Sequence, residues 1–422
     1  MKNRGRRSEP MTRRGKRPRQ ILMMVLLFFL FRAVPLPGQE FKLFERTVQV
    51  HGFASQGFIH TDENNWLTMN TARIGSGEFT DFGANASMQI NDRFRVGAQL
   101  YDRNLGALGK WHPSLDWAMA DYRFKTWLGF RGGKVKTTAG LYTDTQDLDF
   151  LHPFALLPQS VYPIDMRDAT IGHFGGDVYG QVSLPYKIGS VGYTAFVGYR
   201  EDSRFSGYPY LLSQYSTQVK GVNGLQHGVD LRWNTPLPGL LVGASRIDED
   251  ISTEGTTKLQ VFGTTITMPL AAHSRQEWSN QFYGQYLHGR WEVAGEFRRY
   301  FADIRAVYFG QSLLEFEDAR GWYVSGAYRV AKRCQFGSYY SRYTVASSGG
   351  GTDSNLPGNH VFDKVVSGRI DPNRFWNVRV EGHFMDGTGH LGVYPAGFYP
   401  QENPSGFKRN TNALVVKTGL NF

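Results

Sequence analysis

The chain of 422 residues has 14% aromatic residues and 49 glycines but a single cysteine, Cys334, so a disulfide framework is excluded. Its formal charge of +10 invites a nucleic-acid reading, yet ten of the 47 Lys and Arg and one of the 37 Asp and Glu precede residue 40. The remainder is close to neutral, so the charge argument for a nucleic-acid partner falls away.

In chain order, the first segment is an address. Lys2 to Arg19 is densely basic, residues 21–31 (ILMMVLLFFLF) are a short apolar run, and residues 33–39 are rich in Pro and Gly. That is the order of a secretory signal, and the run is too short to span a bilayer. Arg13-Arg14 is followed by Gly15-Lys16, which does not complete a twin-arginine pattern. We read residues 1–39 as a removed signal peptide and 40–422 as the mature domain; Met11 as the start would leave the signal complete.

After Phe31 no apolar run approaches the roughly 20 residues of a membrane helix. Period two recurs instead. Phe82, Ala84, Ala86, Met88 and Ile90 alternate with Asp81, Gly83, Asn85, Ser87 and Gln89, and Trp376, Val378 and Val380 alternate with Asn377, Arg379 and Glu381. The pattern predicts strands over 48–61, 78–90, 93–104, 115–125, 134–142, 169–184, 189–200 and 223–233. It continues over 240–250, 277–287, 291–301, 322–330, 333–343, 360–370, 375–385 and 411–422. Connections alternate in length: short at 91–92, 129–133, 185–188, 234–239, 288–290, 331–332 and 371–374, and long and polar between.

A soluble sandwich and a transmembrane barrel both fit alternating strands. Export, strand length and the asymmetry of short turns and long loops favour the barrel. Aromatics near strand ends, such as Trp233, Trp291, Trp322 and Trp376, suit interfacial girdles. The expectation is an all-β, transmembrane antiparallel β-barrel of about 16 strands. A count of 14 or 18 would follow if the long loop 251–276, which contains the alternating run 259–268, were a hairpin.

The connection between predicted strands five and six is long, and long ordered loops are usually functional. Residues 143–168 carry Asp144, Asp147 and Asp149, then Pro153, Pro158 and Pro163. We expect this third loop to fold into the lumen and narrow it. Parity then puts Arg93, Arg95, Arg123, Lys134, Lys136 and Arg379 on the lumenal face, because a cation facing mid-bilayer lipid costs roughly 2–4 kcal/mol. Opposed rows of charge across a constriction would select among small solutes.

The last strand, ALVVKTGLNF, places Leu414, Val416, Thr418, Leu420 and the terminal Phe422 on one face. It resembles the membrane-assembly signal of bacterial outer-membrane barrels. Together with WAMADYRF (117–124), GFRGGKVKTTAGLYTDTQD (129–147) and GGDVYG (175–180), the chain resembles the bacterial porin superfamily, nearest in style to phosphate-selective and related Gram-negative porins. The resemblance implies a passive diffusion channel for small hydrophilic solutes or ions, embedded in outer-membrane lipid as a homotrimer. No run of clustered Arg and Lys marks the third loop as a dedicated anion site.

Other chemistry finds no support in the residues. Gly132-Gly133-Lys134 lacks the upstream glycine of a phosphate-binding loop, since position 128 is Leu, and a strand follows it. No metal-spaced His or Cys set exists, no G-x-S-x-G occurs, and His288 beside Tyr286 stands without a nucleophile. We expect no enzyme, metal or cofactor. Only residues 40–47 precede the first predicted strand, which disfavours a plugged receptor. The alternative from another class is a surface receptor or adhesin acting through loops 201–222, 251–276 and 386–410.

Overall fold

The computed structural model describes residues 39–43, 46–213, 216–308, 310–392 and 396–422, so the signal read over 1–39 lies outside it except for Gln39. The strands are β1 (Gln39–Leu43), β2 (Arg46–Thr61), β3 (Ser76–Asn91), β4 (Phe94–Leu105), β5 (Ser114–Lys125) and β6 (Leu128–Lys136). Next come β7 (Gly172–Ser183), β8 (Ser190–Glu201), β9 (Thr217–Asn234), β10 (Leu240–Val261), β11 (Thr264–His288) and β12 (Trp291–Tyr308). The last are β13 (Gln311–Ala331), β14 (Cys334–Ser347), β15 (His360–Asn373), β16 (Trp376–Asp386) and β17 (Asn410–Asn421).

From β2 onward each strand pairs antiparallel with the next, and β17 returns to β2 from Ala413↔Thr61 to Asn421↔Phe53. The result is a closed barrel of 16 strands. β1 folds back on β2 as a short hairpin, Gln39 opposite Val50. At the seam the Phe422 backbone exchanges hydrogen bonds of 2.9 and 3.1 Å with Gly52. A Cβ on Gly52 would sit 2.4 Å from the Phe422 ring, so glycine is what lets the ring cover the seam.

The alternation is inverted relative to a soluble sheet. Phe282, Val324 and Phe336 are 57–61% exposed, while their chain neighbours Gln281, Ser325 and Gln335 are 6–7% exposed. Apolar side chains point out of the barrel and polar ones into it, the pattern of a wall solvated by lipid. Among the described residues no helix is long and apolar enough to cross a membrane.

Three expectations are corrected. The predicted strand 134–142 lies earlier, at Leu128–Lys136, and the predicted turn 129–133 is inside it. Its glycines are packing devices: a Cβ on Gly129 would lie 2.4 Å from the Tyr179 ring, and one on Gly133 2.3 Å from the Ala118 carbonyl. Second, the predicted loops 251–276 and 302–321 are strand. β10 and β11 run for 22 and 25 residues and pair as far as Val261↔Thr264, around a turn whose two residues, Phe262 and Gly263, have φ of 46° and 81°. Such φ values define the hairpin turn whose twist matches the strands. Third, this hairpin lengthens two strands and adds none, so the barrel keeps its 16.

The lumen has two regions. Toward the long loops, Ile59, Phe79, Tyr300, Tyr343 and Val415 of the wall pack with Trp66, Leu67 and Phe398 of the loops in one apolar cluster. Toward the short turns, the wall stays polar.

Candidate functional site

The site is built around residues 137–171, between β6 and β7. Its contacts run to strands far round the wall. The Gly140 N–H donates to Ser245 Oγ of β10 at 2.8 Å, and Tyr162 Oη donates to Glu296 of β12 at 2.5 Å. The Ser160 hydroxyl donates to the Trp322 carbonyl of β13, and the Phe154 ring meets Tyr339 of β14 edge-on. Arg369 of β15 donates to the His152 carbonyl, and Arg379 of β16 to the Phe154 carbonyl, both at 2.7 Å. Glu381 receives the backbone N–H groups of Ala155 and Leu156 at 2.7 and 3.2 Å. A loop with backbone in a closed lumen has its polar groups met by wall side chains, as burial requires.

The return of the segment is held by ions. Arg167 makes a bidentate pair with Asp116 of β5 at 3.0 and 2.5 Å. Gln99 links Asp116 at 3.0 Å to Asp147 at 2.5 Å, and Lys136 closes the chain on Asp147 at 2.7 Å. Burial works against the Arg167 charge, but the adjacent Asp116 carboxylate outweighs it and raises the guanidinium pKa. The pair therefore stays ionised. Arg103 adds a bond to the Ile164 carbonyl at 2.6 Å and an ion pair with Asp168 at 3.2 Å.

Below this segment, toward the short turns, lies a cavity of about 800 Å³. Five cations line it, Arg95, Arg123, Arg131, Lys136 and Arg232, against two carboxylates, Asp144 and Asp230. Asp121 and Asp177 stand behind Arg95 and Arg131 at 3.2 and 2.8 Å. Arg232 bonds Asp230 at 2.8 Å and approaches Asp144 at 3.6 Å, so it bridges wall and loop. The Arg131 guanidinium lies 4.8 Å from the Tyr179 ring centre, which fixes its plane. Toward the long loops, the cavities against the segment hold 10–30 Å³ each, room for single waters.

The structure brings together only part of the expected set. Arg95, Arg123, Lys136 and Asp144 line the large cavity. Arg93 does not: it sits in the turn between β3 and β4, exposed, beyond the end of the wall. Lys134 has the opposite orientation from the one expected, since its strand neighbour Val135 is the buried one. Its ammonium bonds the Leu115 carbonyl at 2.6 Å and lies 5.2 Å from the ring of the outward-facing Phe174. Asp147 is fully buried and holds the segment instead of facing the water path. Arg379 is likewise buried beneath the segment. The Asp149 side chain lies outside the described set. Arg131 and Arg232 were missed. Arg131 fell in the stretch misread as a turn, whereas Arg232 sits opposite the apolar face of Leu231 and Trp233 and parity alone would have found it.

Neither the comparison with protein-family models nor that with curated protein sequences finds a match. Solved structures match in fold. OmpT of Vibrio cholerae, an outer-membrane protein, is 14% identical over 91% of this chain and 100% of its own, with a TM-score of 0.54. An anion-selective porin from Comamonas acidovorans is 11% identical over 90% and 100%, TM-score 0.54. The outer membrane channel DcaP of Acinetobacter baumannii is 12% identical over 92% and 100%, TM-score 0.51. At such identities the shared property is the architecture: this chain has the fold of the porin-like barrels of the bacterial outer membrane.

Proposed function

We propose that this outer-membrane barrel is a passive diffusion channel for small hydrophilic solutes that prefers anions. One observation carries the reading: a polar cavity of about 800 Å³ inside a closed barrel, onto which five cations and two carboxylates face, while the partners Asp121, Asp147 and Asp177 of three of those cations lie behind the lining. A low-dielectric wall focuses the field of such a lining and raises the local concentration of anions. The loop-side half of the lumen is packed, so the bore is set by residues 137–171 and the conductance is small. The reading includes export by residues 1–39 and assembly as a homotrimer; a trimer form is described for Vibrio cholerae OmpT. No catalytic step belongs to it.

The test is single-channel recording in a planar bilayer under a KCl gradient. Wild-type protein is expected to give stepwise conductance with a reversal potential of chloride sign. The Arg95→Gln/Arg123→Gln/Arg232→Gln variant should move that potential to zero or beyond. A cation-selective wild type overturns the anion preference, and folded protein without conductance overturns the channel. That second outcome favours a surface receptor, for which the observation is the β10–β11 hairpin tip with Phe262 fully exposed beside exposed Leu259 and Ile266.

A further inference from the structure

The outer wall of β10 to β15 carries a row of cations where a lipid-facing wall should avoid them. Strand register defines the row. Arg246 stands opposite Asn280, Asn280 opposite Arg299, and Arg299 opposite Arg320. Arg320 stands opposite Thr344, two residues from Arg342, and Arg342 is diagonal to Lys364 across the Tyr340↔Lys364 pair. Neighbours in such a ladder are about 5–8 Å apart. The row faces out, because its members share strand faces with Phe297, Phe301, Trp322, Val324, Phe336 and Val366. The side chains of Arg246, Arg299 and Arg320 are 45%, 40% and 55% exposed.

Like charges placed directly opposite are unfavourable without a counter-charge. Two carboxylates on this face meet part of the need. Asp248 takes Arg246 at 2.5 Å, and Asp318 takes both Arg299 and Arg320 at 2.9 Å. Within the row five cations meet two carboxylates; Asp250 and Asp303 lie on the same face nearer the long loops, the latter paired with Arg275 at 3.3 Å. Arg342 and Lys364 have no carboxylate at ion-pair distance among the described residues; the Arg342 guanidinium lies 4.1 Å from the Phe362 ring centre.

Position selects the counter-charge. Trp291, at the short-turn end of β12, and Phe301 are ten residues apart on the outer face, a rise of roughly 25 Å along a tilted strand, the height of the apolar band. Arg299 lies just inside the upper edge of that band. The stacked Trp278–Phe301 pair is above it and Phe297 below, and both Arg246 and Arg299 lie over the Trp278 ring at 5.2 and 5.4 Å. The bidentate N–H edges of Arg246 and Arg299 are taken by Asp248 and Asp318, whereas Arg342, held on the Phe362 ring, presents its edge for the bidentate grip that phosphate accepts. An anion held there has acyl chains against the aliphatic wall below it.

We propose that the outer face of β10–β15 is a binding site for the phosphorylated head group of an outer-leaflet lipid, gripped by Arg320, Arg342 and Lys364. The site is independent of the channel reading, since none of these residues lines the lumen.

Native mass spectrometry of the full-length barrel in neutral detergent tests it, with an acylated disaccharide lipid bearing two phosphates, its dephosphorylated counterpart, and inorganic phosphate as probes. The phosphorylated lipid should bind one per barrel, and the dephosphorylated form at least tenfold more weakly. Each cation removed should weaken binding roughly fivefold, so Arg342→Gln/Lys364→Gln should lose about 25-fold. This pair has no carboxylate partner to strand, and heat-dependent gel mobility confirms its folding. Arg342→Lys should restore part of the loss when Lys364 is kept. Equal affinity for the two lipids, or an unchanged double variant, overturns the site. Inorganic phosphate binding as tightly as the lipid overturns the lipid assignment.

Discussion

The two regions of the lumen are lined largely by different strands and are built for opposite ends. Toward the short turns, cations on β4, β5, β6 and β9 surround an 800 Å³ cavity and keep it wet. Toward the long loops, inward positions of β3, β12, β14 and β17 carry Phe79, Tyr300, Tyr343 and Val415, and these pack in one cluster with Trp66 and Phe398. The segment 137–171 divides them. It shows its apolar residues Ala155 and Leu156 to the packed half, and Thr138 and Asp144 to the open one. A wall of fixed parity therefore does not dictate a water-filled bore; what enters from the loops does.

The comparison breaks most readily at the ion pair that anchors the divider. Arg167→Leu strands the Asp116 carboxylate in a buried site, and removing one member of such a pair costs about 3–5 kcal/mol. The melting midpoint of heat-modifiable gel mobility should fall, and single-channel conductance should rise several-fold as the segment loosens. An unchanged conductance would mean that residues 137–171 do not set the bore.

A smaller effect is expected at the far anchor. Tyr162 donates to Glu296 at 2.5 Å, and Glu296 also receives the Leu141 N–H at 3.3 Å. Tyr162→Phe removes two hydrogen bonds, the one donated to Glu296 and the one accepted from the Tyr142 N–H at 2.9 Å, together worth about 1–3 kcal/mol. Current noise from segment motion should increase with little change in mean conductance. Quiet, wild-type traces would show that the other anchors suffice.

The smallest effect sharpens the comparison by pH. Asp165, in the turn Ile164–Ala169, accepts from Tyr399 at 2.6 Å while its second oxygen has no partner. Burial raises its pKa above the ordinary aspartate value. A folded-state pKa above the unfolded one favours the protonated loop, so this contribution is full below about pH 3.9 and fades as pH rises through the folded value. Conductance should therefore increase modestly with pH in the wild type and stay flat in Asp165→Asn. A slope that persists in the variant assigns the effect to another group.

How much of this was legible beforehand depends on the range of the interaction. Period two is a one-strand property, so the barrel, its inverted faces and the closing strand to Phe422 were readable from local pattern. The same pattern placed Arg95 and Arg123 on the lumenal wall, and it contained Arg232. It failed where glycines stand inside a strand to admit a ring or a carbonyl, as at Gly129 and Gly133, because composition there imitates a turn. That one misreading turned Lys134 inward and hid Arg131.

By itself the sequence determined an all-β chain with apolar faces for lipid and a long third connection. Only the tertiary structure decided that Asp147 is a buried anchor, that Arg379 serves the Phe154 carbonyl, and that Arg131 and Arg232 border the open cavity. Those roles depend on partners dozens to hundreds of residues away: Gln99 for Asp147, Phe154 for Arg379, Asp177 for Arg131. Alternation states which face a side chain takes; closure and register state whom it meets there.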